Sequence, residues 1–272
     1  MATGFKGIDV SKWQGNIDWR KVANTGVVKF AFIRCGLRGW GSGTLELDEF
    51  FHANMKGAAE QGIATGVYFF SQAINAAEGE EEARFVLEQL KGYKPLMPIY
   101  FDAEYANDKL TGRADHITIG ARTAAAEAFC KTIEKAGYYA GVYTYTFFAL
   151  EGKINYAALA KKYTMWLADY RAKPDTTLRR DILQYSNVGN ISGINGGVDM
   201  NVCTVDFPTV IKANGLNGWK AAESPAEGAE ASKGETVPLA DYNAAQARAA
   251  AAEGERDALI EELRKLITKY GG

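Results

Sequence analysis

The sequence predicts an α/β fold, an irregular TIM-like (β/α) barrel with a C-terminal helical, coiled-coil-like tail. Three observations lead there. Short apolar runs recur through the first 213 residues, helical periodicity fills the gaps between the earlier runs, and the composition changes after residue 213.

The runs are FKGIDV (5–10), VVKFAFIRC (27–35), ATGVYFF (64–70), LMPIYFD (96–102), YYAGVYTY (138–145), YTMWLA (163–168), DILQYS (181–186) and GVDM (197–200). Most are rich in β-branched and aromatic residues and show little polar alternation, so they read as strands buried on both faces. Apolar residues at three-and-four spacing predict helices at about 48–61, 77–91 and 115–136. Strands alternating with helices imply a parallel sheet, and eight of them suffice to close a barrel. The second half offers no comparable helices, which makes the barrel irregular. A doubly wound sheet is the alternative, disfavoured because no glycine-rich phosphate turn follows the first strand.

Residues 1–213 are therefore expected to form the main domain. Residues 214–237, rich in Ala, Glu, Gly and Ser, read as a linker. In 238–272, Tyr242, Ala245, Ala249, Ala252, Arg256, Leu259, Leu263, Leu266 and Tyr270 recur at heptad spacing. The alanine-rich half buries too little apolar area to hold a lone helix in water, so a homo-oligomer through this helix is expected.

The chain is 47% hydrophobic and 24% charged with a formal net charge of -2, so no basic footprint invites nucleic acid. No apolar run reaches transmembrane length, and membrane insertion is not expected. The start, MATGFKGIDV, lacks the apolar stretch of a signal peptide. Either the protein accumulates in the cytoplasm for release by another factor, or a leader is missing from this chain. Cys35, Cys130 and Cys203 are odd in number and far apart, and read as free thiols. With His52 and His116 the sole histidines, a zinc site or a serine–histidine triad is disfavoured, and no metal or cofactor is expected.

The run PIYFDAE ends in two carboxylates, Asp102 and Glu104, separated by one alanine. Successive side chains on a strand point to opposite faces, so these two share a face. Like charges on one face of a buried strand are costly unless used. Barrel active sites lie at the carboxyl ends of the strands, where Asp9, Arg34, Asp169, Gln184 and Asp199 also fall. Gathered carboxylates raise the pKa of the least solvated, and a protonated carboxyl beside an ionised one is the machinery of glycoside hydrolysis. Tyr68, Phe70, Tyr143, Tyr145, Trp166, Tyr170 and Tyr185 end the same strands and could pack against sugar faces. Some of these rings are expected simply to fill the core.

The ordered set GIDVSKWQGNIDW, GVYFFSQA, PIYFDAE, GVYTY, MWLADY, LQYS and GVDMN resembles the family 25 glycoside hydrolases, the N-acetylmuramidases called Chalaropsis-type lysozymes. The resemblance spans about residues 4–213 and stops at the linker. It implies bacterial peptidoglycan as substrate, cleaved in the extracellular wall at the β-1,4 bond after N-acetylmuramic acid, as phage endolysins do. Glu104 corresponds to the family's acid and Asp102 to its second carboxylate, acting as nucleophile or as stabiliser of attack by the substrate's own acetamido group. Asp9 and Asp199 match the flanking carboxylates, and Tyr68, Tyr143, Trp166 and Gln184 match groove positions. Where family members often carry Lys after the second strand, this chain has Arg34. The competing readings are a chitinase-like barrel glycosidase and a non-catalytic wall-sugar-binding or assembly protein.

Overall fold

The computed structural model describes residues 4–221. Its strands are β1 (Phe5–Val10), β2 (Phe30–Arg38), β3 (Leu45–Leu47), β4 (Ala64–Phe70), β5 (Ile99–Asp102), β6 (Ala140–Tyr145), β7 (Thr164–Ala168), β8 (Ile182–Gly189) and β9 (Val198–Cys203). Hydrogen bonding runs in the order β1-β9-β8-β7-β6-β5-β4-β2-β3, and pairing of β1 with β2 closes eight of these strands into a barrel. The short β3 lies outside the ring, antiparallel to β2.

Every expected strand is present, but the barrel is not wholly parallel. β9 runs antiparallel to both neighbours, β1 and β8. The cause is local: the segment between β8 and β9 is too short for a crossover helix, and a tight return forces antiparallel pairing. This reversal brings the beginning of β9, rather than its end, to the mouth of the barrel.

The expected helices appear as α2 (Phe51–Glu60), α3 (Ala76–Gln89) and α4 (Ile119–Lys135), the last two capped by Asn75 and Thr118. Among the described residues, only short helices accompany them: α1 (Trp19–Asn24), α5 (Thr146–Leu150), α6 (Tyr156–Ala160) and α7 (Phe207–Ala213). Outside the ring, apolar residues of strands and helices form one core that includes Ile33, Val67, Phe101, Phe129 and Val142. Inside it, Phe30, Phe32, Tyr100 and Trp166 form an aromatic plug, with Phe32 and Trp166 stacked at 4.6 Å. Two glycines make the room. A Cβ on Gly66 would sit 2.3 Å from the Phe32 ring, and one on Gly141 2.4 Å from Tyr100. The three cysteines are free and buried.

Packing continues past residue 213 into the expected linker. Asn217 is 0% exposed, accepts from the Tyr139 amide at 2.8 Å, and donates to the carbonyls of Pro95 (3.0 Å) and Met97 (3.1 Å). The segment to Ala221 thus belongs to the barrel, because one amide side chain ties it to β5 and β6 at their starts. Asn217→Ala removes all three bonds and should cost about 2–3 kcal/mol in urea unfolding. A loss below about 0.5 kcal/mol would show that the segment is dispensable. The rest of the expected linker, the helical segment 238–272 and its self-association lie outside the described residues.

Candidate active site

The site is built on β5, whose four residues are all buried. Phe70 pairs with Asp102 on one side and Tyr143 pairs with it on the other. Just past the strand, the Ala103 amide donates to the Tyr143 carbonyl at 2.9 Å, and the Thr144 hydroxyl donates to the Ala103 carbonyl at 2.7 Å. These bonds hold the chain between the carboxylates. Ala103 packs into the outer core, while Asp102 and Glu104 face the barrel mouth.

Nine of the residues expected from the sequence line one cleft of about 360 Å³: Asp9, Tyr68, Phe70, Asp102, Glu104, Tyr143, Trp166, Gln184 and Asp199. Arg34 lines it too, but its guanidinium is paired with Asp48 at 2.8 Å. Little positive charge is left to offset four carboxyl groups. Burial and then the nearby Asp199 push the Glu104 carboxyl up to about 7. Asp102 is only 2% exposed, and burial, Glu104 and Asp9 raise it well above the ordinary range against a smaller pull from Arg34. Its Oδ1 accepts no hydrogen bond among the described residues.

Asp9 and Asp199 stand opposite each other in the β1–β9 register, close enough for their charges to interact. Burial raises both, and the charge of Asp199 raises Asp9 further. Asp9 Oδ2 accepts from Gln184 Nε2 and Asn201 Nδ2, both at 2.8 Å. Gln184 is a hub. Its Oε1 accepts from the hydroxyls of Tyr143 at 3.0 Å and Tyr170 at 2.6 Å.

Two expectations change. Asp169 does not join the carboxylates: Arg171 binds it at 2.8 Å through Nε, and the amide of Asp175 and hydroxyl of Thr146 also donate to it. These donors hold its carboxyl well below the usual range. Tyr185 packs against the outer core, because it follows the inward-facing Gln184 and alternation turns it away. Trp166 does line the cleft, yet it is 1% exposed and its indole N–H is spent on Asn201 at 2.8 Å. It is floor rather than platform.

Trp13, not among the residues expected at the site, is 76% exposed at its rim. Ser11 caps the turn that carries it, accepting from the Trp13 amide at 3.3 Å, while Gln14 reaches back to the Ser11 amide at 2.9 Å. The available signal was a serine three residues before glutamine, a capping box that stops β1 and turns the next side chains outward.

Residues 8–194 match the sequence model of Glycosyl hydrolases family 25. The chain belongs to that family. Among relatives of this family 25 glycosidase, YegX of Escherichia coli K12, an uncharacterized protein, is 30% identical over 203 residues, covering 72% of this chain and 68% of YegX. Lysozyme M1 of Streptomyces globisporus is 27% identical over 206 residues, covering 73% and 67%. The modular autolysin LytC of Streptococcus pneumoniae, solved with a synthetic peptidoglycan ligand, superposes with a TM-score of 0.62 at 26% identity. That match covers 74% of this chain and 46% of LytC, so this family 25 chain spans less than half of that protein.

Proposed function

We propose that this glycosidase is an N-acetylmuramidase that cleaves the β-1,4 bond between N-acetylmuramic acid and N-acetylglucosamine in bacterial peptidoglycan. The observation that carries the reading is Glu104, a carboxyl held near neutral pKa in the same cleft as the buried Asp102. Glu104 protonates the leaving glycosidic oxygen and, as its conjugate base, activates the water that completes hydrolysis. Asp102 acts from the same face, as nucleophile or as stabiliser of the substrate's own acetamido group in its attack on the anomeric carbon. Asp9, Asp199 and Gln184 orient sugar hydroxyls, with Tyr68, Phe70 and Tyr143 as walls. The names of the relatives, a lysozyme and an autolysin, agree with action on the cell wall.

The test is mass analysis of digested peptidoglycan, in which muramic acid must appear at every new reducing end. Glucosamine reducing ends, or faster cleavage of chitin, would favour the chitinase-like alternative. A wild-type chain that binds the wall but releases no reducing ends would be the non-catalytic protein.

The pH profile follows from the carboxyls. Glu104 must be protonated to donate, so turnover should fall as pH rises through about 7. A second carboxyl must be ionised, so turnover should also fall toward acid pH, and the two limbs report the coupled group rather than single residues. A rate that keeps climbing to about pH 9 in a stopped digestion would contradict this assignment. For residues 238–272, self-association is proposed from heptad spacing alone, and light scattering of the full chain tests it.

A further inference from the structure

Three clefts meet at Glu104. The first is the one described above. A second, of about 400 Å³, lies between Tyr145, Phe147, Tyr170 and Arg171, sharing Glu104, Tyr143 and Tyr170 with the first. A third, of about 450 Å³, is lined by Tyr105, Asn107, Asp108 and Leu110 together with Glu104 and Tyr145.

The chemistry assigns directions to them. Asp102 lines only the first cleft, so the sugar whose anomeric carbon reacts must sit there. Glu104 faces the oxygen of the breaking bond, so the leaving side of the glycan extends beyond Glu104 into the second or third cleft.

The second cleft has the features a sugar strand needs. Phe147 is 54% exposed near the start of α5, an aromatic face that the core does not use. The guanidinium of Arg171 lies over this ring at 5.1 Å, and Asp169 fixes it from the other edge. Arg171 spends Nε and Nη2 on Asp169, whereas Nη1 makes no hydrogen bond among the described residues. A guanidinium held rigidly with an open donor edge is built for a carboxylate. The third cleft instead presents Asp108, which repels one.

We propose that the cleft between Tyr145, Phe147 and Tyr170 binds the leaving-side sugars of the glycan, and that Arg171 receives a carboxylate of the stem peptide on the next muramic acid. The proposal rests on the peptidoglycan reading. It adds a substrate requirement: strands that carry stem peptides are cleaved better than bare strands.

The experiment measures kcat and KM on soluble glycan strands that carry stem peptides and on the same strands stripped by an amidase. For Arg171→Gln, KM on peptide-bearing strands should rise about tenfold, the scale of one charge-assisted hydrogen bond, with kcat little changed and stripped strands unaffected. Phe147→Ala removes an exposed ring without opening the core, and should raise KM on both substrates about equally. Asp108→Asn should alter neither. Arg171→Gln losses that are equal on the two substrates, or absent, overturn the carboxylate contact. An unchanged Phe147→Ala, or a KM effect from Asp108→Asn, overturns the choice of cleft and does not depend on Arg171→Gln folding. Failure of the peptidoglycan reading looks different: the wild type itself then yields no muramic acid reducing ends from either strand.

Discussion

Glu104→Gln should leave a folded protein whose turnover on peptidoglycan is reduced at least about 10²-fold, the lower end of what a general acid contributes. The amide is isosteric, but it has no acidic proton to pass to the leaving oxygen. Its backbone is anchored independently of the carboxyl by the Ala103 bonds to Tyr143 and Thr144, so loss of activity should not come from loss of fold. Stability gives a second readout of opposite sign. The Glu104 carboxyl is raised from 4.5 to about 7, so between those values the native state holds a proton that the unfolded chain has released. Wild-type stability therefore falls as pH rises through that window, and the Gln variant escapes this loss. At pH 8 the variant should be more stable, on the order of 1 kcal/mol after allowing for solvent in the open cleft. At pH 4 the two should melt together. Turnover above about a tenth of wild type would remove Glu104 as the acid.

The barrel was legible because its strands are sharply bounded apolar runs, and the candidate cleft because Asp102, Glu104, Asp9 and Gln184 fall at strand ends with the parity that aims them inward. Asp199 lines the same cleft for a reason that its position after an apolar run does not reveal. It sits near the start of β9, and reaches the mouth because that strand is reversed, a consequence of loop length that strand patterning does not display. Asp169 and Glu104 look alike in sequence, each a carboxylate just past a strand. What separates them is Arg171, two residues downstream of Asp169, which fixes it as an ion pair. Trp13 was not legible because exposure is a property of the turn capped by Ser11, not of tryptophan itself. Likewise, the composition break after residue 213 located a change of character but not the end of packing, since one asparagine, Asn217, holds the chain down for several residues more.

Asp102→Asn should be as severe for activity as the loss of the acid, and its cause can be divided experimentally. Asp102 is buried beside Glu104 and Asp9 with an Oδ1 that has no partner among the described residues, and Arg34, the cation that favours its charge, is already paired with Asp48. Such a carboxylate is held at a cost in stability, which function must justify. Asparagine keeps the shape and removes both the repulsion and the desolvated charge, so this variant should unfold at higher urea than wild type at pH 8. Its turnover should still fall about 10²-fold or more, whether the missing charge attacked carbon or steadied an acetamido group. The two roles part in the Glu104→Gln background, given a substrate whose aryl leaving group departs without an acid. A direct nucleophile becomes esterified at Asp102 and accumulates, because the base that would activate water is gone, and intact-protein mass then rises by one glycosyl unit. Attack by the substrate's own acetamido group leaves the protein mass unchanged while the aryl group is released. An Asp102→Asn chain with near wild-type turnover, alongside an inactive Asp9→Asn, would transfer the second carboxylate's role across the cleft to the Asp9–Asp199 pair.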